Sequence, residues 1–185
     1  MLFHEMKVAG LDRKLPILPL NENLSIAGFV MFGDVEITQV SASKLLEKAP
    51  EFDVIVTAES KGIPLAYEMA RLSGKNYVVL RKMHKLYMVD TIYTEVDSIT
   101  TAHTQTLCVG SIEAAEIRGK RVLVVDDVIS TGGSLAAMEL LINQLDGHIV
   151  GKMCVLAEGD ALERDDIVYL DELPLFTPDG KPIEK

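Results

Sequence analysis

Between Arg121 and Ser134 the chain reads Arg-Val-Leu-Val-Val-Asp-Asp-Val-Ile-Ser-Thr-Gly-Gly-Ser, and no other stretch restricts its fold as tightly. Val122 to Val125 form a largely β-branched apolar run, the pattern of a strand covered on both faces and hence of a parallel sheet. The strand stops at two adjacent acids. Ser130, Thr131, Gly132, Gly133 and Ser134 then offer hydroxyls and closely approachable backbone N–H groups. They stand just before a helix-forming run, Leu135 to Ile142, whose positive dipole end favours an anion. A phosphomonoester suits that turn. Asp126 and Asp127 would repel it. As acceptors they suit the paired hydroxyls of a ribose, or a hydrated Mg2+. The segment therefore fits a ribose 5-phosphate, at the carboxyl end of a buried strand where open α/β sheets take their ligands.

This run closely resembles the phosphoribosyl pyrophosphate (PRPP) binding motif of type I phosphoribosyltransferases: hydrophobic residues, two acids, two hydrophobic residues, then Ser/Ala-Thr-Gly-Gly-Thr/Ser. The resemblance implies catalytic roles for Asp126 and Asp127, with Mg2+ reached indirectly through PRPP hydroxyls or water. It also implies substrate contacts from Val128, Ile129, Ser130, Thr131, Gly132, Gly133 and Ser134. The fold it implies is a parallel twisted sheet flanked by helices, a Rossmann-like α/β core with a small variable hood and a mobile lid loop.

Two further segments extend the likeness. After the strand Asp53 to Thr57 comes Ala58-Glu59-Ser60-Lys61-Gly62, a loop at the amino end of the next helix, where pyrophosphate finds donors and positive charge. It resembles the Glu-Ser-Arg-Gly pyrophosphate loop of adenine phosphoribosyltransferases, with Lys61 in place of arginine. The charge is kept and the bidentate fork is lost. The resemblance gives Glu59, Ser60, Lys61 and Gly62 to the substrate and implies a non-proline cis peptide between Glu59 and Gly62. Just past the following strand, Arg81-Lys82-Met83-His84-Lys85-Leu86 concentrates cations in an otherwise acidic chain. It resembles the Arg-Lys-x-x-Lys-Leu segment of the same enzymes, which implies PRPP contacts from Arg81 and Lys82 and places Lys85 on the departing pyrophosphate.

The chain reads as one phosphoribosyltransferase domain over 1–185. It comprises a hood or β element at 1–38, a core at 52–157, a lid at 87–106, and a strand and tail at 158–185. The hood shows strand patterns at Leu15 to Leu20 and Ser25 to Phe32 around an Asn-Glu-Asn turn. A helix is expected from Gln39 to Lys48, with Ser41 or Ser43 near its start, and is ended by Pro50. Parallel βα units follow: strand 53–57 with helix 63–72, strand 77–80, strand 122–125 with helix 134–145, and strand 149–157. A last strand is expected at 166–170, and the proline-rich tail after it reads as irregular. The lid is threonine-rich with few apolar residues, poor material for a buried element and good material for a flap or extended hairpin. Where the family's lid carries a glutamate beside a tyrosine, this chain has His103-Thr104, and Glu95 is the nearest lid acid. His103 is the candidate for proton traffic at the base.

Composition narrows the function. The net charge of −10 argues against a nucleic-acid or membrane-surface role. Cys108 and Cys154 lie in hydrophobic surroundings without metal-ligand spacing, so they read as reduced, packed thiols of a cytoplasmic protein. The amino terminus lacks a signal-peptide pattern, and no apolar stretch reaches the ~18 residues of a spanning helix. The expected activity is Mg2+-dependent transfer of the phosphoribosyl group from PRPP to a purine, adenine foremost, by a homodimer. Two alternatives stay open: a 6-oxopurine phosphoribosyltransferase, and a PRPP-binding regulator without turnover. Phe29, Phe32 and Phe176 are candidates for stacking on the base.

Overall fold

The computed structural model describes residues 1–97 and 104–183. The chain opens with β1 (Phe3–Val8), β2 (Leu11–Pro19) and β3 (Ser25–Ala27), an antiparallel sheet in the order β1-β2-β3. Ala9 and Gly10, at φ 51° and 84°, make the tight turn between its first strands, the two-residue geometry that matches strand twist. Strand β1 was not expected, because His4 and Glu5 break the apolar/polar alternation of Phe3 to Val8 and the strand is defined by its pairing with β2. The strand expected from Ser25 to Phe32 is β3, which ends at Ala27.

Helix α1 (Val35–Leu46) starts earlier than its sequence pattern indicates. Val35, Ile37, Thr38 and Val40 are β-branched and weak helix formers. Here packing overrides propensity, since Ile37 is fully buried. Asp34, not Ser41 or Ser43, caps the helix: its Oδ1 accepts the Ile37 N–H at 3.1 Å, while Arg13 donates to both carboxylate oxygens at 2.7 and 3.0 Å. That fork ties the hood to the core and holds Asp34 below its ordinary pKa.

The core then runs β4 (Val54–Ala58), α2 (Ile63–Ser73), β5 (Asn76–Leu80), β6 (Ile92–Asp97), β7 (Thr104–Val109), α3 (Ser111–Ala115), β8 (Arg121–Ile129), α4 (Gly133–Gln144), β9 (His148–Glu158), a 3-10 turn at Gly159–Glu163, and β10 (Val168–Leu173). Strands β10-β9-β8-β4-β5 form one parallel sheet in that order. Helices α1 and α2 and the hood cover one face through Ile37, Leu45, Leu65, Met69 and Leu15. Helix α4 covers the other through Leu135, Met138, Leu141 and Ile142. Both faces are closed, which explains the uninterrupted burial of Val122 to Val125.

Strands β6 and β7 pair as an antiparallel hairpin, the extended form expected of the lid segment. His103 lies outside the described residues. The tail is less irregular than its prolines indicate: Phe176 is buried and pairs with Ser25 through hydrogen bonds of 2.8 and 2.9 Å, closing the hood from below.

Candidate functional site

From β4 the chain crosses to β5 on one side, and from β8 it crosses to β9 on the other, so the order reverses between β4 and β8. In such sheets the crevice at the carboxyl ends of those two strands is the natural ligand site. The two segments singled out by sequence sit there. The Glu59 to Gly62 loop leaves β4 and feeds α2, and the Ser130 to Gly133 turn leaves β8 and feeds α4.

Their facing is close. The Lys61 ammonium stands 2.8 Å from Oδ2 of Asp127, a carboxylate buried to 4% side-chain exposure. Asp126 Oδ1 accepts the Asp127 N–H at 2.9 Å. A Cβ at Gly62 would lie 2.8 Å from Asp126 Oδ1 and closer still to Thr57 Oγ1, so only glycine lets the loop after β4 approach the acids. Burial, together with the charge on Asp127, pushes the Asp126 carboxyl well above the usual carboxylate range. The peptide between Glu59 and Ser60 is cis, within the span expected.

Glu59 gathers the cations. Its Oε1 lies 3.7 Å from Arg81 Nη1 and 3.6 Å from Lys85 Nζ, and its Oε2 accepts the Lys82 N–H at 3.2 Å. Partial burial pushes this carboxyl up, but the Lys82 N–H and the charges of Lys85 and Arg81 outweigh it and hold it below its ordinary value. Arg81 and Cys108 exchange backbone hydrogen bonds of 2.8 and 2.7 Å, so the cation segment is stitched to the hairpin. Glu95 is exposed on β6, with Thr106 as its Cα partner.

The turn after β8 reaches the helix through Gly132, whose φ of 79° is a left-handed conformation that suits glycine. Gly133 opens α4, and the Ala136 N–H returns to the Gly132 carbonyl at 2.8 Å. A helix amino end reached through such a turn is an arrangement that receives an anion. Among the described residues no cluster of three or more His, Cys, Asp or Glu forms a direct metal cage. Two adjacent carboxylates instead fit an ion held through water and substrate oxygens, as Mg2+ commonly is.

Two residues at the crevice escaped the sequence reading. Arg164 donates to Asp166 through Nε and Nη2 at 2.8 and 2.7 Å, while its Nη1 lies 3.2 Å from where a Gly132 Cβ would stand. Glu158 ends β9 and is buried. Neither belongs to a local motif; each arrives by strand pairing or by a turn. Of the aromatic candidates, Phe29 and Phe176 are core residues and Phe32 is half exposed. Cys108 and Cys154 are free and buried, and burial pushes the Cys154 thiol up to about 12.

The model of the phosphoribosyl transferase domain matches residues 35–174, most of the chain. The chain belongs to this family of type I phosphoribosyltransferases. Over 123 residues it is 35% identical to an adenine phosphoribosyltransferase of Petrotoga mobilis, a match covering 65% of this chain and 68% of that one. Over 114 residues it is 33% identical to a hypoxanthine/guanine phosphoribosyltransferase of Methanothermococcus okinawensis, covering 62% of this chain and 58% of the other. The fold is that of the adenine phosphoribosyltransferase of Saccharomyces cerevisiae, solved with an imino-altritol bisphosphate and adenine. The TM-score is 0.67 at 27% identity, covering 83% of this chain and 92% of that chain. The family's parallel sheet with flanking helices is thus the observed one.

Proposed function

We propose that this protein transfers the phosphoribosyl group of PRPP to a purine base, adenine foremost, releasing pyrophosphate and a nucleoside 5′-monophosphate. The observation that carries this is the convergence of two anion-binding turns on one switch-point crevice, bridged by the Lys61–Asp127 ion pair. The 5-phosphate is taken by the hydroxyls and N–H groups of Ser130, Thr131, Gly132, Gly133 and Ser134 with the α4 amino end. The ribose hydroxyls go to Asp126 and Asp127, and Val128 and Ile129 shape the floor beneath. Pyrophosphate is taken by Ser60, Lys61 and Gly62 with Arg81, Lys82 and Lys85, cations that Glu59 holds in place meanwhile.

A base nitrogen attacks ribose C1 in line with the leaving oxygen. The C1–N bond forms as the C1–O bond breaks, the bonding pair leaves with pyrophosphate, and the N–H proton of the base is given up. Positive charge gathers on the ribose in the transition state, where Asp126 and Asp127 stabilise it. Lys61 and Lys85 stabilise the negative charge growing on pyrophosphate. Mg2+, held through the substrate and water near Asp126 and Asp127, would supply further charge neutralisation on PRPP. The β6–β7 hairpin closes over the site as a lid that keeps water from PRPP. His103 serves the base's proton from that lid. The exposed apolar side chains of Met83, Leu86 and Tyr87 beside the cations support assembly as a homodimer. No described helix is long and apolar enough to cross a membrane; the free, buried cysteines support a reducing, cytoplasmic setting, and the acidic composition argues against nucleic-acid partners.

The match to a hypoxanthine/guanine enzyme sustains the 6-oxopurine alternative. Incubation with PRPP, Mg2+ and adenine, hypoxanthine, guanine or xanthine in turn decides between them by the nucleotide formed. Turnover with adenine is expected. PRPP binding without pyrophosphate release for any base would leave the regulator in its place.

A further inference from the structure

Glu158 occupies a telling place. It follows Ala157, which pairs with Ile129 of β8, so it stands alongside Ser130 at the entrance of the phosphate turn, and on its other side it pairs with Leu173 of β10. The residue is 8% exposed, and among the described residues nothing donates a hydrogen bond to its Oε1. A buried carboxyl oxygen without a donor is costly unless the working protein supplies one.

Within the reading proposed above, on which this inference rests, the missing partner follows by elimination. Both phosphate ends of PRPP are already matched, in that reading, to the two anion-binding turns and the cations beside them. The ribose hydroxyls face Asp126 and Asp127. What remains is the base, which must approach C1 on the side away from pyrophosphate and brings its own N–H donors. Gly159, the next residue, has φ 56° and lines a cavity of about 560 Å3 together with Leu162, Glu172, Leu173, Pro174 and Leu175. A mostly apolar cavity one residue along the chain from an unpaired buried carboxyl suits a planar heterocycle.

We infer that Glu158 is the base-reading residue of this enzyme, its carboxyl group pairing with the amino group and neighbouring ring nitrogen of a 6-aminopurine. Burial pushes its pKa up to about 7, against the pull of the Lys61 charge. In its neutral form the group carries one donor and one acceptor, the pattern with which Asn and Gln amides read adenine. An ionised carboxylate offers acceptors alone and suits the paired N–H groups of guanine instead.

Glu158→Ala and Glu158→Gln separate this role from a structural one. Each is compared with wild type for PRPP affinity and for kcat/KM with adenine and hypoxanthine. Glu158→Ala is expected to lose about 10- to 100-fold in kcat/KM for adenine with PRPP affinity unchanged. Glu158→Gln, whose amide keeps one donor and one acceptor, stays within about threefold. Unchanged adenine turnover in Glu158→Ala overturns the inference, as does a loss of PRPP affinity equal to the loss in turnover, which would make Glu158 a partner of Lys61. Wild-type protein that uses hypoxanthine and refuses adenine overturns the inference while transfer stands. Wild-type protein that turns over no base removes transfer and the inference together.

Discussion

Lys61 reaches from the loop after β4 to within 2.8 Å of Oδ2 of Asp127 at the end of β8, so a half-exposed ammonium neutralises a buried acid of the neighbouring strand. Arg81 and Lys85 are likewise held by Glu59. The cations proposed for pyrophosphate thus rest on the site's own carboxylates, with which an arriving pyrophosphate would compete for them.

Lys61→Met should lower PRPP affinity at least tenfold, because it removes a pyrophosphate cation and leaves Asp127 without its counter-charge. The stability cost is about 1–2 kcal/mol, since the half-exposed ammonium is partly screened while the buried carboxylate loses its counter-charge. Each kcal/mol corresponds to a fall of about 2–4 °C in Tm. Calorimetric titration and a thermal melt check both, and Lys61→Arg should recover most of the affinity.

Asp126→Asn and Asp127→Ala should each reduce kcat/KM by about 10²- to 10³-fold while the far-ultraviolet circular dichroism stays native. Steady-state kinetics with saturating base gives the number. Turnover near wild type in either variant would remove the acids from the chemistry.

Gly62→Ala places a methyl group against Thr57 Oγ1 and Asp126 Oδ1. Backbone must shift to admit it, at a cost of about 1–3 kcal/mol. Denaturant unfolding should show that loss, and pyrophosphate binding should weaken with it.

Glu158 gives the stability a pH slope. Its folded pKa, about 7, lies above its ordinary 4.5. Between those values the unfolded chain surrenders the proton while the folded one keeps it, so stability falls as pH rises through that window and levels above it. Glu158→Gln removes this contribution. Asp126, raised in the same direction, contributes to both proteins and cancels in the comparison. Relative to Glu158→Gln, wild type should lose on the order of 2–3 kcal/mol between pH 4.5 and pH 7.5 in guanidinium unfolding.

The parallel core was legible because its signals are local. Buried strands announce themselves by apolar runs, and helix starts such as Gly133 follow glycine turns. The same holds for the crevice: Glu59 to Gly62, Arg81 to Lys85 and Asp126 to Ser134 each carry their chemistry in consecutive residues. What could not be read depends on distant partners. Helix α1 begins at Val35 because Arg13, far earlier in the chain, braces Asp34. Phe176 looks like a tail residue until Ser25 pairs with it. Glu158 looks like any surface acid at a strand end until β10 and the 3-10 turn bury it.

A crystal soaked with PRPP and Mg2+ tests the central claim most directly. The ribose diol should lie on the Asp126 and Asp127 carboxylates, with the 5-phosphate inside the turn from Ser130 to Ser134 and pyrophosphate against Lys61. Density for PRPP anywhere else on the molecule, with that crevice unchanged, would contradict it.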